Sequence, residues 1–356
     1  MLKTKFIFTI LNFIVSAIFW VECSYSHPDS TATPSPASPP TEVVKIIDPD
    51  NGPGTDYTSR EEFAVREKRD LVAANEIAVA ICRSSNGSPD RPAQFDHWIT
   101  DREHYVRVAA DSAHRAGPRW DDTKYRIIET SAGNSESIDI EIDNIEIDGI
   151  QMLLKGSGRS HDVIDPQKGD FFVIKNCYLR IELSSGAGDA IDLKSPALMF
   201  NNIIECKVEE GRLSGIIAMG SAEVVAYNNT LIGFYYGFRS KDNARIIAVN
   251  NIVRGAADGF LASDHGIFSD ACDYNSSNVP GDAPVKAPRD SSQIPWFSGG
   301  LPDSLIFIDP ANHDFRLRPD SPFRNAGAGP AIDPAVPAFN LSGEIRAGET
   351  VNLGAD

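Results

Sequence analysis

Cysteine is scarce. Five occur in 356 residues, and one of them, Cys23, sits at the end of an apolar N-terminal stretch. The other four, Cys82, Cys177, Cys206 and Cys272, form no CxxC and no spacing that suits zinc. An exported location would permit two disulfides. We read all four instead as small buried apolar side chains, because so long a chain has core enough without staples. Basic residues are also few: 33 Lys and Arg stand against 50 Asp and Glu, a formal charge of −17. That balance excludes a nucleic-acid backbone as partner, since proteins that bind one carry basic patches. It suits a cation such as calcium, a neutral ligand, or simply a solvated acidic surface. No GxSxG, HExxH or Gly-rich phosphate loop occurs. The usual signatures of serine hydrolases, zinc peptidases and nucleotide binders are therefore missing.

Long apolar runs are missing too, except at the start. Lys3 and Lys5 precede "FIFTILNFIVSAIFWV" at 6–21. This run is shorter than the roughly 20 residues of a membrane span, and its charged flank suits a secretory signal cleaved after Ser26. Cys23 follows Trp20, Val21 and Glu22, whereas a lipobox wants a small residue immediately before its cysteine, so simple cleavage is expected over lipidation. Removing 1–26 takes away Lys3, Lys5 and Glu22, so the charge becomes −18. No transmembrane span is expected in the mature form. Residues 27–55 begin with "HPDSTATPSPASPPTE", a Pro/Ser/Thr-rich tether that cannot build a core.

What the chain does have is a repeat. With Asn251 as a mark, equivalents fall at Gly149, Asn176, Asn202, Asn229 and, degraded, Asn275, at intervals of 27, 26, 27, 22 and 24 residues. Two before the mark stand Ile147, Ile174, Phe200, Tyr227 and Val249; four before it stand Ile145, Phe172, Leu198, Val225 and Ile247. Period two marks one face of a strand, so these positions and the mark itself are expected to point inward. A second strand repeats in "GDAIDLKS", "LSGIIAMG", "YYGFRSKD" and "ADGFLASD", with Ile191, Ile216, Phe238 and Phe260 inward, then Leu193, Ala218, Ser240 and Ala262. Each coil then holds two or three short strands stacked in parallel on the next, the pattern of a right-handed parallel β-helix, all-β and solenoidal. We assign 56–279 to this solenoid with its N-terminal capping helix, where Thr58 and Glu61 are spaced as a capping box. Residues 280–356, rich in Pro, Gly and Asp, are assigned to a loop-rich C-terminal cap over the other end.

These features resemble exported bacterial β-helix proteins of the pectate-lyase-like superfamily. The markers are "DYTS" before the cap helix, "RWDDTKYRI" at 119–127, the NN coils, "DACDYNSS" at 270–277, "FIDPANHDFRLRPDSPFRNAG" at 307–327 and "LSGEIRAGETVNLGAD" at 341–356. The resemblance implies carbohydrate binding or cleavage in a groove along the stacked strands. It also implies acidic residues that hold calcium, Lys or Arg as base or charge neutraliser, and an internal ladder of Asn176, Asn202, Asn229 and Asn251. An Asn tolerates the left-handed turn, and its amide can bond the next coil's.

Two coils repeat an acidic pattern: "HDVID" gives Asp162 and Asp165, "GDAID" gives Asp189 and Asp192, each pair 27 residues apart. Asp165 is expected to stack on Asp192 and Asp162 on Asp189, a candidate calcium site. Lys194 and Arg239 are the candidate catalytic cations, and Lys241 and Tyr236 the candidate substrate contacts. The competing reading is a row of solvated outward charges. His161, His265 and Trp296 are weaker candidates, better read as loop or capping residues. Two functions follow. One is an exported protein, a monomer, that processes a polysaccharide as a calcium-assisted lyase. The other is a non-catalytic surface protein whose coil face binds a glycan.

Overall fold

The structure, a computed structural model, describes residues 38–131, 135–157, 161–167, 169–208, 211–279, 282 and 301–356. The apolar run at 6–21, Cys23, the cleavage position after Ser26, the first part of the tether and Trp296 lie outside the described residues, as does the His161 side chain.

The chain forms a parallel β-solenoid of three sheets. The first sheet has nine strands, from Thr41–Ile47 to Ile267–Phe268; the second and third have seven each. In a middle coil the first-sheet strand Ala197–Phe200 turns into the second-sheet strand Ile203–Val208; Gly211–Ala218 of the third sheet follows, and Glu223–Tyr227 starts the next coil. Every pairing between successive coils is parallel. The interior is a continuous stack of aliphatic side chains, including Ile147, Ile174, Met199, Ile216 and Phe238, all fully buried. Cys82, Cys177, Cys206 and Cys272 are free thiols buried in that stack, as read from the sequence.

Three boundaries differ from the sequence reading. Within the segment taken as tether, Thr41–Ile47 forms the first strand, paired along its whole length with Glu76–Cys82; "TEVVKII" is β-branched enough to extend the sheet. Helix α1, Arg60–Arg66, caps the solenoid where expected, but Ser59 is its N-cap and accepts from the Glu62 amide at 3.2 Å, while Glu62 reaches back to the Thr58 amide at 3.0 Å. The box is shifted by one residue from Thr58 and Glu61. Phe63 and Ala64 of α1 plug the end, with Phe63 against Trp98, and Val65 faces water. The third difference is the C-terminal segment. Residues 301–356 run along the side of the solenoid, over the outer faces of the first and second sheets, where Val336 and Val351 cover Tyr227 and Val249.

That side position has a cause in the strands beneath. Pairing aligns Phe172 with Ala197, Val224 and Ile246, and Ile174 with Met199, Ala226 and Ala248. Those are the inward positions. Leu198, Phe200, Val225, Tyr227, Ile247 and Val249, expected inside, therefore point outward. They are apolar and need cover, which the C-terminal segment supplies in part.

The asparagines also shift by one. Asn176 stacks with Asn201, Asn228 and Asn250, all with φ between 53° and 61°, in the slot held by Gly149 one coil earlier. The internal ladder is Asn202, Asn229, Asn251 and Asn275, each fully buried, with Cys177 at its head. In it each side-chain amide donates to the next coil's Oδ1 at 2.9–3.0 Å, and that same oxygen accepts the backbone N–H of the donor residue. Each amide also reaches back to a carbonyl, as Asn251 does to Ala226 at 2.9 Å. No buried side-chain atom of these four amides is left over, which is what makes a polar ladder tolerable in an apolar core.

Candidate functional site

The third sheet bends in mid-strand. Val163 and Ile164 are both fully buried, as are Ala190 and Ile191 one coil on. Two consecutive inward residues leave the residues on either side pointing outward. That is how the motif D-x-x-D puts both of its carboxyls on the outer face. Ile164 pairs with Ile191, so Asp162 stacks on Asp189 and Asp165 on Asp192, as the spacing predicted. The ladder extends further than expected. Glu136 stacks under Asp162 and Asp139 under Asp165. Beyond Asp192 the column continues through Ile217 to Arg239, and beyond Asp189 through Ser214 to Tyr236.

Backbone contacts fix the corner. Asp162 Oδ1 accepts the Asp189 N–H at 2.7 Å, and Asp189 Oδ1 accepts the Ser214 N–H at 3.0 Å. Each carboxyl thus replaces a ladder bond that the bend removes. Gln167 donates to Asp165 Oδ2. The Lys194 ammonium lies 3.3 Å from Asp192 and 3.8 Å from Asp165. Arg239 sits over the Tyr236 ring at 4.9 Å, and Tyr236 meets Tyr235 edge to face. Lys241 is held by Asp242 at 3.2 Å. Asp264 and His265 occupy a left-handed turn after the third-sheet strand Asp258–Ala262.

Burial and like charge raise the carboxyls unequally. Asp162 is pushed up to about 8, by burial first and then by Asp189, Asp165 and Asp192; the Asp189 N–H works against the rise. Asp165 and Asp189 rise to about 6, again through burial, with Lys194 and Ser214 respectively opposing. Asp192 is raised by burial against the pull of Lys194 and Lys241. Burial works against the Lys194 charge, yet Asp192 and Asp165 outweigh it and hold the ammonium above its usual value. A lysine so held is a charge neutraliser and a poor base.

The calcium expectation meets a mixed fit. Asp165 Oδ1 and Asp192 Oδ1 are buried without a hydrogen-bond partner, as a cation's ligands would be. But among the described residues no three His, Cys, Asp or Glu side chains are placed to hold a metal ion, and Lys194 already stands between the two carboxylates. Calcium would have to displace it.

A second feature was not read from the sequence. A groove of about 1790 Å³ runs along the outer face of the first sheet, between the strands and the C-terminal segment. Its floor is the outward row Val173, Leu198, Val225 and Ile247, only partly buried, and one wall is "PAVPAF" at 334–339. The signal was present as strands apolar at every position, such as "ALMF", which in a solenoid means apolar residues on both faces.

Comparison with protein-family models, with curated proteins and with solved structures gives no match. Among the described residues no helix is long and apolar enough to cross a membrane.

Proposed function

We propose that this solenoid is an exported protein that binds an extended polysaccharide across the coils of its third sheet and cleaves it there by acid–base chemistry. The observation that carries the reading is the set Asp162, Asp165, Asp189 and Asp192, four carboxyls on adjoining coils with unequal hold on their protons. Glycosidic-bond cleavage needs a proton donor and an acceptor on one face, and environments that push paired carboxyls apart supply them. Asp162, protonated near neutral pH, is the donor to the leaving oxygen. Asp165 or Asp189, each rising only to about 6 and so ionised there, accepts the proton of water or of the sugar carbon. Lys194 and Arg239 neutralise developing negative charge, and Tyr236 and Lys241 border the next subsite. No step is routed through calcium; a calorimetric calcium titration of wild type and Asp165→Ala/Asp192→Ala decides whether the ion competes with Lys194.

The test is an assay for new reducing ends and for unsaturated uronate over neutral and acidic polysaccharides. Wild type should release one or the other, and Asp162→Asn should lower kcat by about 100-fold or more with KM little changed. Full activity in both Asp162→Asn and Asp192→Asn ends the catalytic reading. The alternative, a non-catalytic glycan binder, is favoured by the low exposure of the acids: Asp162, Asp165 and Asp192 are 7%, 5% and 8% exposed. It is the result to accept if no polysaccharide is cut while one retards the protein in affinity electrophoresis.

A further inference from the structure

We infer that the groove on the first sheet is a second, separate binding site, and that its ligand is a neutral, chain-like carbohydrate. The site stands on a different face from the carboxyl ladder, so the inference does not depend on the ladder's chemistry.

Size and direction argue for a chain. The groove follows the solenoid axis from Tyr105, at the start of the Val106–Ala110 rung, to Ile247 in Arg245–Val249, six rungs of one sheet. At strand spacing that is about 24 Å, and the volume exceeds the roughly 300–1,000 Å³ of a pocket for one small molecule. The rungs repeat at a length close to that of a sugar ring, so a linear oligosaccharide can meet equivalent side chains coil after coil.

Charge argues for neutrality. The ions on the groove's floor are paired with one another: Lys175 with Glu146 at 2.9 Å and Asp148 at 3.8 Å, and Arg115 with Asp148 at 2.6 Å. Arg107 adds a further contact to Glu146 at 3.2 Å. A charged ligand seated on these rungs would have to break one of these pairs, whereas hydroxyl groups can bond to their outer edges and leave them intact. A purely apolar ligand would strand the same ions.

The apolar surface argues for sugar faces. Phe200 lies on the floor beneath the Lys175 ammonium, 5.9 Å from ring centre. Phe339, 40% exposed, overhangs from the C-terminal wall. Phe171 and Tyr105 continue the row toward the N-terminal coils, each part-buried. Flat rings beside paired donors and acceptors fit a molecule with C–H faces and a polar rim, which describes a β-linked hexose chain.

Isothermal titration with cellohexaose and mannohexaose as neutral probes, and hexagalacturonate as the charged one, tests this. At least one neutral probe should bind and the uronate should bind at least about tenfold more weakly. Phe200→Ala and Phe339→Ala should each weaken the neutral probe by about fivefold, while Asp162→Asn/Asp192→Asn leaves it unchanged. Should Phe200→Ala lower the melting temperature sharply, hydrogen exchange on wild type decides: the neutral probe should protect 171–175, 197–200 and 334–339 and leave the third sheet unaltered. The inference is overturned if neither neutral probe binds, if hexagalacturonate binds equally well, or if protection falls on the third sheet. A concentration-dependent dimer in sedimentation, lost in Phe200→Ala, assigns the groove to a second copy of the chain and also overturns it.

Discussion

Asn250 and Asn251 adjoin in sequence and meet different demands. Asn250 has φ 61° and takes the left-handed corner; Asn251 has an ordinary φ and supplies the interior amide. Substitution should separate the two roles. Asn251→Ala strips acceptors from the Asn229 side chain and backbone and a donor from Ala226 O, all buried, and should cost about 3 kcal/mol or more in urea unfolding. Asn251→Gly should be no milder. In the corner column, Asn176→Gly should cost less than about 1 kcal/mol, and Asn176→Ala more, through the left-handed backbone. The sequence alone could not make this distinction, because an NN pair offers two equivalent marks, and only Gly149, aligned with Asn176, hints which member turns the corner. The carboxyls carry a second residue-scale prediction. Asp162 has a folded value of about 8 against 3.8 in an unstructured chain. The folded state therefore holds the proton more tightly. The stability this confers is complete below about pH 4 and is lost as pH rises toward 8. Melting temperature should fall across that range, and Asp162→Asn, which keeps the Oδ1 acceptor, should flatten the fall.

At the scale of the strand, legibility followed amphipathicity. The third-sheet positions Ile191, Ile216 and Phe238 were placed correctly because Asp192 and Arg239 mark the outward column of the aligned strands, although Ala262 at the last coil is exposed. In the first sheet "ALMF" and "EVVAY" are apolar at nearly every position, so period two has no phase, and the reading set Phe200 and Tyr227 inside. The bend of the third sheet was also hidden, since Val163 and Ala190 read as ordinary members of an alternation. Further along the same bend the slot is held by Gly237. A Cβ there would meet Gly259 O at 2.5 Å and Val253 Cγ1 at 2.5 Å. Both belong to the next coil's wall and cannot swing aside, so Gly237→Ala should lose about 1–3 kcal/mol by chemical denaturation, and hydrogen exchange should rise first in the two coils it joins.

For the whole molecule, the stacking of coils from Gly149 onward was legible and the course of the last sixty residues was not. Repeats announce themselves within the sequence, whereas a segment that packs on residues 100 or more positions away leaves only composition to read. Arg346 shows the point. It is buried, its charge disfavoured by burial to about 10, and it donates to Asn201 Oδ1 at 2.6 Å and to the carbonyls of Phe339 and Gly354 at 3.0 and 3.2 Å. Nothing in "GEIRAGE" singles it out. Arg346→Met should leave those acceptors unpaired and loosen the segment, for a loss of about 3 kcal/mol, with a rise in fluorescence of an apolar dye as Tyr227 and Val249 are uncovered.

The corner column gives that segment its footing at more than one coil. Arg346 and Phe339 O bind Asn201, Asn352 O accepts from Asn228 at 3.1 Å, and Asn250 exchanges two bonds with Ala328 at 2.9 Å. A solenoid can usually gain or lose a coil in evolution without disturbing its neighbours. Here a duplication between Asn201 and Asn250 would carry the three asparagines out of step with a segment whose own spacing stays fixed. The C-terminal segment is in that sense a ruler, and a lineage carrying it is held to one length unless segment and coils change together.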